Sequence, residues 1–119
     1  MANELTITAS MRLSKSNVVL PQRSLSGAFD VSGVPVLHLA ASIGTDEETL
    51  EKGELTLTVY AYFYNCDATN FVEIGNATGT YQIKLKAGEF ALLRLDNWSN
   101  IYAKADTGAV TLEYALISN

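Results

Sequence analysis

The sequence contains few cysteines and histidines, the residues that most often form disulfides, metal sites and acid/base pairs. It has one cysteine, Cys66, and one histidine, His38. A single cysteine excludes a disulfide within the chain. A single histidine excludes a metal site with several histidines and an acid/base pair of two histidines.

Positive charge is also scarce. Eight lysines and arginines stand against 13 acidic residues, which gives a net charge of −5 and a pI near 4.7. A nucleic-acid binder that neutralises phosphates needs the opposite balance, and so does a protein held on anionic lipid by a basic patch. We therefore expect neither nucleic acid nor membrane among the partners.

Long apolar runs are missing as well. No segment approaches the roughly 18 uninterrupted apolar residues of a membrane span. The opening residues Met1–Thr6 contain neither the basic nor the apolar region of a secretory signal. We therefore expect a protein that is made and folded in a reducing cytoplasm.

Catalytic motifs are equally rare. The chain has no G-x-S-x-G, no glycine-rich phosphate loop and no zinc-ligand spacing. His38 lies in the apolar run 36–40, which is typical of a core or interface histidine. Cys66 lies in a turn with no nearby basic residue to favour its thiolate, which indicates a structural or incidental role. The sequence predicts a protein that is not an enzyme, with no catalytic residue, no cofactor and no metal ligand.

Two alternatives stay open for the acidic residues. Two strand carboxylates that converge in one cleft would suit a glycosidase, the candidates being Glu73, Glu89 and Glu113. Clustered oxygens could hold calcium, although neither cluster has EF-hand spacing; the clusters are Asp46, Glu47 and Glu48, and Asp96, Asn97 and Asn100. We favour solvated surface acids in both cases, since exposed strands carry glutamates routinely.

What the sequence does contain is a strong period of two. Apolar and polar residues alternate from Leu5, Leu55, Tyr81, Ile101 and Val110, which is typical of half-buried strands. Two runs, Val34–Ile43 and Phe90–Leu95, are more continuously apolar, and we expect those strands to be covered on both faces.

Turn residues separate these runs at intervals of about ten residues, the spacing of an all-β sandwich or barrel. The turns are rich in Asn, Asp and Gly, which tolerate the backbone of tight turns; they lie at 65–70, 75–79, 87–89, 96–100 and 106–108. The sequence predicts an all-β, antiparallel β-sandwich of about eight or nine strands, of jelly-roll or Greek-key type.

The organisation is that of one domain over residues 1–119, because this length suits a single core. Residues 12–33 fit the pattern less well, and they form either a strand pair or an extended arm that clasps a neighbour. Residues Thr45–Gly53 could make one helical turn, with Thr45 as its cap and Gly53 at its end.

The most informative segment for function is Thr58–Tyr64. Because side chains alternate along a strand, three tyrosines share one of its faces, namely Tyr60, Tyr62 and Tyr64. Either the domain itself covers this face, or the face meets another protein or a sugar, because tyrosine combines a large ring with a polar tip. Trp98, in a polar loop, either covers one end of the sandwich or anchors a partner. We take these four aromatic residues as the candidate partner interface.

Several segments of the sequence carry a resemblance to a known group of proteins. The clearest lie in the second half, at Asn65–Gly75, Leu85–Leu95, Ile101–Thr107 and Leu112–Tyr114. The segments Met1–Thr6 and Ile43–Glu48 add to them. Together these segments resemble small structural proteins in the virions of tailed bacteriophages. The resemblance includes no catalytic motif, and it implies a small all-β virion component.

The resemblance leads us to expect a capsid decoration or cement protein, a non-enzymatic component that binds the outer shell of a bacteriophage capsid and bridges its subunits. Its partners would be the major capsid protein, or another virion protein, and copies of itself in a homo-oligomer, a trimer or dimer. It would be made in the host cytoplasm and would end on the outer capsid surface. The alternative is a β module of the tail, neck or fibre that could bind a glycan.

Overall fold

The computed structural model describes residues 4–16, 23–31 and 36–118. These residues form ten strands and no helix, and the strand bounds are β1 Leu5–Met11, β2 Arg23–Phe29, β3 Val36–Ile43, β4 Glu48–Thr49, β5 Leu57–Asn65, β6 Val72–Gly75, β7 Ile83–Leu85, β8 Phe90–Trp98, β9 Tyr102–Ala105 and β10 Val110–Ser118. Every strand pair is antiparallel. The described part of the chain contains no helix that is long and apolar enough to cross a membrane.

The chain divides into two compact units, Met1–Ser32 and Gly33–Asn119. In the first unit, β1 and β2 form a two-stranded ribbon whose register runs from Leu5 opposite Phe29 to Met11 opposite Arg23. The extended arm at 12–33 stays a prediction: β2 falls inside that range, and residues 17–22, 32 and 33 lie outside the described residues. The single domain over 1–119 likewise stays a prediction.

The second unit is a β-sandwich of two four-stranded sheets. One sheet has the order β3-β10-β5-β8, and the other has the order β4-β9-β6-β7. The strand pairs are nested along the chain, since β6 pairs with β7, β5 with β8, β4 with β9 and β3 with β10. A chain that folds back in this way and wraps into two sheets is a jelly roll. The predicted all-β antiparallel sandwich is confirmed.

Alternation along the strands explains which side chains fill the space between the sheets. In β5, Leu57, Val59, Ala61 and Phe63 are buried. Neighbouring strands of the same sheet add Ile43, Leu95, Val110, Leu112, Tyr114 and Leu116, and β6 of the facing sheet adds Val72 and Ile74. Ile101, just before β9, is also buried. Burial of this apolar surface, at about 25 cal/mol per Å², is the main stabilising contribution to the sandwich. The Tyr114 hydroxyl donates a hydrogen bond of 2.7 Å to the carbonyl of Glu51, so this buried phenol has its polar group satisfied.

Two local expectations are wrong. The runs at 36–43 and 90–95 are not covered on both faces, because the outer face of their sheet is open and Val36, Phe90 and Leu92 are exposed there, and residues 34 and 35 lie outside the described residues. Residues 45–53 contain the short strand β4, paired with β9, rather than a helical turn. The described residues have ten strands, close to the eight or nine expected, and the two-residue β4 is the shortest of them.

Candidate functional site

The three tyrosines of β5 point away from the core, on the outer side of the β3-β10-β5-β8 sheet. The register brings cross-strand neighbours beside them, with Tyr60 opposite Arg94, Tyr62 opposite Leu92 and Tyr64 opposite Phe90. We call this outer surface the tyrosine face, and its members are Val36, His38, Ala40, Tyr60, Tyr62, Tyr64, Phe90, Leu92, Arg94, Glu113, Ala115 and Ile117.

Large apolar side chains of the tyrosine face are open to solvent. The exposed fraction is 69% for Phe90, 47% for Leu92 and 38% for Tyr64. The outer side of the other sheet is different, because it carries the charged pairs Glu73 with Lys84 and Glu73 with Lys104. An exposed apolar patch on one sheet of a sandwich is typical of a contact surface.

A groove crosses the tyrosine face between β5 and β8. It has a volume of about 440 Å³ and is open along one side. We call it the aromatic groove; its lining residues are Tyr62, Tyr64, Gly88, Phe90, Ala91, Leu92 and Glu113. Tyr64 and Phe90 meet edge to face with their ring centroids 6.4 Å apart, a favourable geometry for aromatic pairs. The groove therefore combines aromatic walls with one carboxylate.

A hydrogen-bonded cluster of three side chains lies beside this groove. The Tyr62 hydroxyl donates to Oε2 of Glu113, and His38 Nε2 lies 3.0 Å from the same oxygen and 2.9 Å from the Tyr62 hydroxyl. His38 donates to Glu113 when Nε2 carries the proton. The residue between His38 and Tyr62 in the register is Ala115, whose small side chain leaves room for these two longer ones to meet above it.

The hydrogen bonds of the cluster shift the pKa values of Glu113 and Tyr62. The hydrogen bond from Tyr62, then the one from His38, holds the pKa of the Glu113 carboxyl below its ordinary value of 4.5. The hydrogen bond to Glu113, followed by burial, raises the pKa of Tyr62 to about 12. At neutral pH the groove therefore carries an ionised carboxylate and a neutral phenol.

These shifts predict a pH dependence that NMR can measure. A carboxyl whose pKa is lowered by folding contributes stability above its unfolded pKa, and this contribution is lost as the pH falls through the folded pKa. In a titration followed by the side-chain carboxyl signal, we expect the pKa of Glu113 to be lowered in the wild type. Tyr62→Phe should move that pKa toward 4.5, because it removes the largest cause of the shift.

Tyr81→Phe is the matched control. Tyr81 donates a hydrogen bond to Glu47, away from the tyrosine face, and that bond is the main cause that lowers the pKa of Glu47. The control should raise the pKa of Glu47 and leave that of Glu113 unchanged. An unchanged Glu113 pKa in Tyr62→Phe would mean that the cluster is not formed in solution.

The edge of the groove is held by the backbone of Asn65. Asn65 is completely buried at the end of β5. Its N–H donates to the Glu89 carbonyl at 2.9 Å, and its carbonyl accepts the N–H of Gly88 at 3.0 Å. Gly88 has a φ of +78°, a conformation that glycine adopts without strain. This turn leads directly into Phe90 and so determines where the groove ends.

The structure brings together three of the four predicted interface residues. Tyr60, Tyr62 and Tyr64 share the tyrosine face, whereas Trp98, at the end of β8, is partly buried and packs against the core. His38 is not in the core, because it lies on an edge strand with its side chain 61% exposed. Cys66 is exposed just after β5.

Two of the strand carboxylates that were considered for chemistry, Glu73 and Glu113, are separated. Glu73 and Glu113 point outward from different sheets, so the sandwich lies between them. Glu47 accepts hydrogen bonds from Gly79 and Tyr81, while Glu48 accepts one from Gly44. No group of three or more His, Cys, Asp or Glu side chains able to hold a metal ion occurs within residues 4–16, 23–31 and 36–118.

Three residues of the site, Phe90, Leu92 and Glu113, were not recognised as interface residues from the sequence, and His38 was predicted only as a core or interface histidine. Phe90 and Leu92 alternate with the core-facing Ala91 and Leu93, but the continuous apolar run hides this period. His38 and Glu113 join the site through pairing with β10 over long sequence separations. The exposed tyrosine strand was the one signal that pointed to this face.

Comparisons with known proteins give little further guidance. No family model matches the chain, and no curated protein matches it. One solved structure, described as "Bacillus endospore appendages form a novel family of disulfide-linked pili", contains a chain that is similar over 100% of this chain and 96% of its own length. The sequence identity is 12% and the TM-score is 0.42.

Proposed function

We propose that the protein is a non-enzymatic virion structural protein of a tailed bacteriophage, most specifically a capsid decoration or cement protein. It binds the outer shell and bridges neighbouring capsid subunits. The observation that carries this proposal is the tyrosine face, an exposed aromatic and apolar surface on one sheet of a sandwich whose other sheet is charged outside.

The tyrosine face has the composition of a protein contact. Aromatic residues are enriched in the centres of interfaces, and tyrosine is among the residues that contribute most to binding. Phe90 and Leu92 each bury apolar surface if a partner covers them, which is worth about 1.5–3 kcal/mol per side chain. The jelly-roll fold is compatible with this role, since viral capsid domains use it, but fold alone does not establish function.

Repeated weak contacts explain how a small domain can cement a shell. A homo-oligomer, a trimer or dimer, presents several copies of the tyrosine face at once. The second contact then forms at a high effective concentration, so that avidity exceeds the affinity of one site. The net charge of −5 suits an outward surface better than contact with packaged DNA.

The first test measures size and capsid binding together. Light scattering on the purified protein gives its oligomeric state, and sedimentation with purified capsids of the encoding bacteriophage shows whether it binds them. We expect a trimer or dimer that pellets in a stoichiometric ratio with capsids. A protein that stays in the supernatant at all capsid concentrations contradicts the decoration role.

A surface variant tests whether the tyrosine face makes this contact. Phe90→Ser with Leu92→Ser removes the two most exposed apolar side chains of the groove without changing the core, so the fold should persist. We expect capsid affinity to fall at least tenfold, since even about 1.4 kcal/mol of lost burial has that effect. The measurement is a sedimentation isotherm.

Lys104→Ser is the matched control for this variant. Lys104 is exposed on the outer side of the opposite sheet, so its removal should leave capsid affinity within twofold of the wild type. Equal losses in both variants, or no loss in the double variant, would place the capsid contact away from the tyrosine face.

A glycan-binding module of the tail, neck or fibre is the second candidate. It is favoured by the polar groups of His38 and Glu113 beside the aromatic walls of the groove, since sugars stack on rings and hydrogen-bond to such groups. Binding of wild-type protein to immobilised glycans, lost in the double serine variant, together with no sedimentation with capsids, would favour this candidate.

A further inference from the structure

Two aromatic rings outside the groove already have a cation of this chain beside them. The Arg94 guanidinium lies over the Tyr60 ring at 5.4 Å from its centroid, and the Lys84 ammonium lies over Phe71 at 4.0 Å. Such contacts are favourable because the ring face is electron-rich. The three rings of the groove, Tyr62, Tyr64 and Phe90, have no lysine or arginine stacked on them from the described part of the chain.

The groove also contains an ionised carboxylate, that of Glu113, of which only one oxygen accepts hydrogen bonds from the described residues. Both hydrogen bonds to Glu113 reach the same oxygen, Oε2. Its other oxygen, Oε1, accepts no hydrogen bond from the described residues, and the side chain remains one-third exposed. Tyr62 and His38 hold this carboxylate in place, so a ligand would not have to immobilise it on binding.

We propose that the aromatic groove binds an arginine side chain of the partner protein. The guanidinium stacks on the rings of Tyr62, Tyr64 or Phe90 and donates hydrogen bonds to Glu113 Oε1. The exposed Phe90 and Leu92 side chains cover apolar residues that flank the arginine. This inference deepens the proposed function by naming the chemistry of the partner, and it rests on the tyrosine face being the contact surface.

Arginine fits the groove better than lysine does. The guanidinium is planar, so it stacks on a ring and still directs N–H groups sideways at a carboxylate. A lysine ammonium is a strongly hydrated point charge and gains less from stacking. The groove volume of about 440 Å³ leaves room for the arginine stem together with a flanking apolar side chain.

The test uses the full chain, labelled with ¹⁵N, and N-acetyl-arginine amide as the probe. N-acetyl-citrulline amide has nearly the same shape as the arginine probe but no charge. N-acetyl-lysine amide has the positive charge but lacks the planar guanidinium group. We expect the arginine probe to shift backbone signals of Tyr64, Phe90, Leu92 and Glu113. The citrulline probe should bind about tenfold more weakly, as expected for loss of a charge-assisted contact, and the lysine probe should be intermediate.

Variants locate the binding to the groove. Glu113→Gln should weaken arginine binding about tenfold, whereas Glu73→Gln, on the outer side of the opposite sheet, should stay within twofold of the wild type. Tyr64→Leu, which keeps an apolar side chain at an exposed position, provides a second variant and should weaken binding at least threefold. Equal binding of arginine and citrulline, signal shifts outside the groove, or no effect of Glu113→Gln overturns the proposal.

The same variants separate this inference from the proposed function. If Glu113→Gln pellets with capsids as well as the wild type does, the arginine site is wrong while capsid decoration stands. If the wild type binds the arginine probe in the groove but ignores capsids, the arginine site stands and the partner is another protein.

Discussion

Replacing Asn65 by alanine is expected to lower the free energy of unfolding by about 3 kcal/mol. Asn65 is completely buried, and all of its polar groups have partners. Its Nδ2 donates to the carbonyls of Asn70 and Leu85 at 2.9 and 3.0 Å, and its Oδ1 accepts the N–H of Asp67 at 2.9 Å. Alanine leaves these three backbone groups without their partner.

The cost is large because these backbone groups cannot move to other partners easily. The bond from Asp67 to the Asn65 side chain closes an Asx turn at the end of β5. The bond to the Leu85 carbonyl ties this turn to the end of β7, in the other sheet. A buried donor or acceptor left unsatisfied costs about 1–3 kcal/mol, so losing three bonds at one position exceeds most single substitutions.

Asn76→Ala provides the control of identical chemistry. Asn76 is exposed in the hairpin turn and bonds to Gln82, so water can replace that partner and we expect a change within about 0.5 kcal/mol. Urea unfolding followed by tryptophan fluorescence measures both variants. Similar midpoints for the two variants would show that the buried hydrogen bonds of Asn65 contribute little net stability.

The Asn65 variant also bears on the candidate site. The Asn65 backbone holds the turn that contains Gly88, and that turn leads into Phe90 at the edge of the aromatic groove. A loosened Asn65 loop should therefore broaden the NMR signals of Gly88 and Phe90 before global unfolding. Stability of the sandwich and the shape of the groove are thus connected through one residue, because the Asn65 side chain holds its own loop and the Asn65 backbone holds the turn at the groove.

Alternation and turn chemistry were enough to predict the fold class. The outward tyrosines of β5 and the inward Val59, Ala61 and Phe63 follow directly from a period of two. The hairpin at 75–79, which joins β6 to β7, follows from its glycines and Asn76. Both are local signals, since they depend on residues that are near one another in the sequence.

Strand order is not a local property, and this explains what the sequence analysis missed. The pairing of β3 with β10 joins residues about 75 positions apart, such as His38 and Glu113. Which face of a strand is covered depends on such pairings and on how the two sheets pack, so β3 and β8 were wrongly expected to be covered on both faces. The aromatic groove forms only when β5 pairs with β8, and no short sequence motif predicts that pairing.

Replacing Gly75 by alanine is expected to destabilise the protein by about 3 kcal/mol or more, at the upper end of overpacking effects. Gly75 ends β6, beneath the turn of the following hairpin. A Cβ atom there would lie 1.8 Å from the carbonyl oxygen of Thr80 and 2.7 Å from Cα of Tyr81. Both are backbone atoms, so the turn itself has to move, and no side-chain rotation can relieve the contact.

Two further glycines separate this steric effect from general effects of alanine. Gly44 has ordinary space for a Cβ, its nearest atom being Glu48 Oε2 at 3.6 Å, so Gly44→Ala should change stability within about 0.5 kcal/mol. Gly79 has no atom within 4 Å but has a φ of +74°, so Gly79→Ala should cost about 1–2 kcal/mol from backbone strain alone.

The expected order of stability is therefore wild type and Gly44→Ala, then Gly79→Ala, then Gly75→Ala, measured by urea unfolding under the same conditions. If Gly75→Ala were no worse than Gly79→Ala, the 77–80 turn would be able to shift at little cost. The turn should resist, because the Thr80 N–H donates to the Ala77 carbonyl at 3.0 Å and because Glu47 accepts hydrogen bonds from Gly79 and Tyr81. These three hydrogen bonds keep the turn in its place next to Gly75.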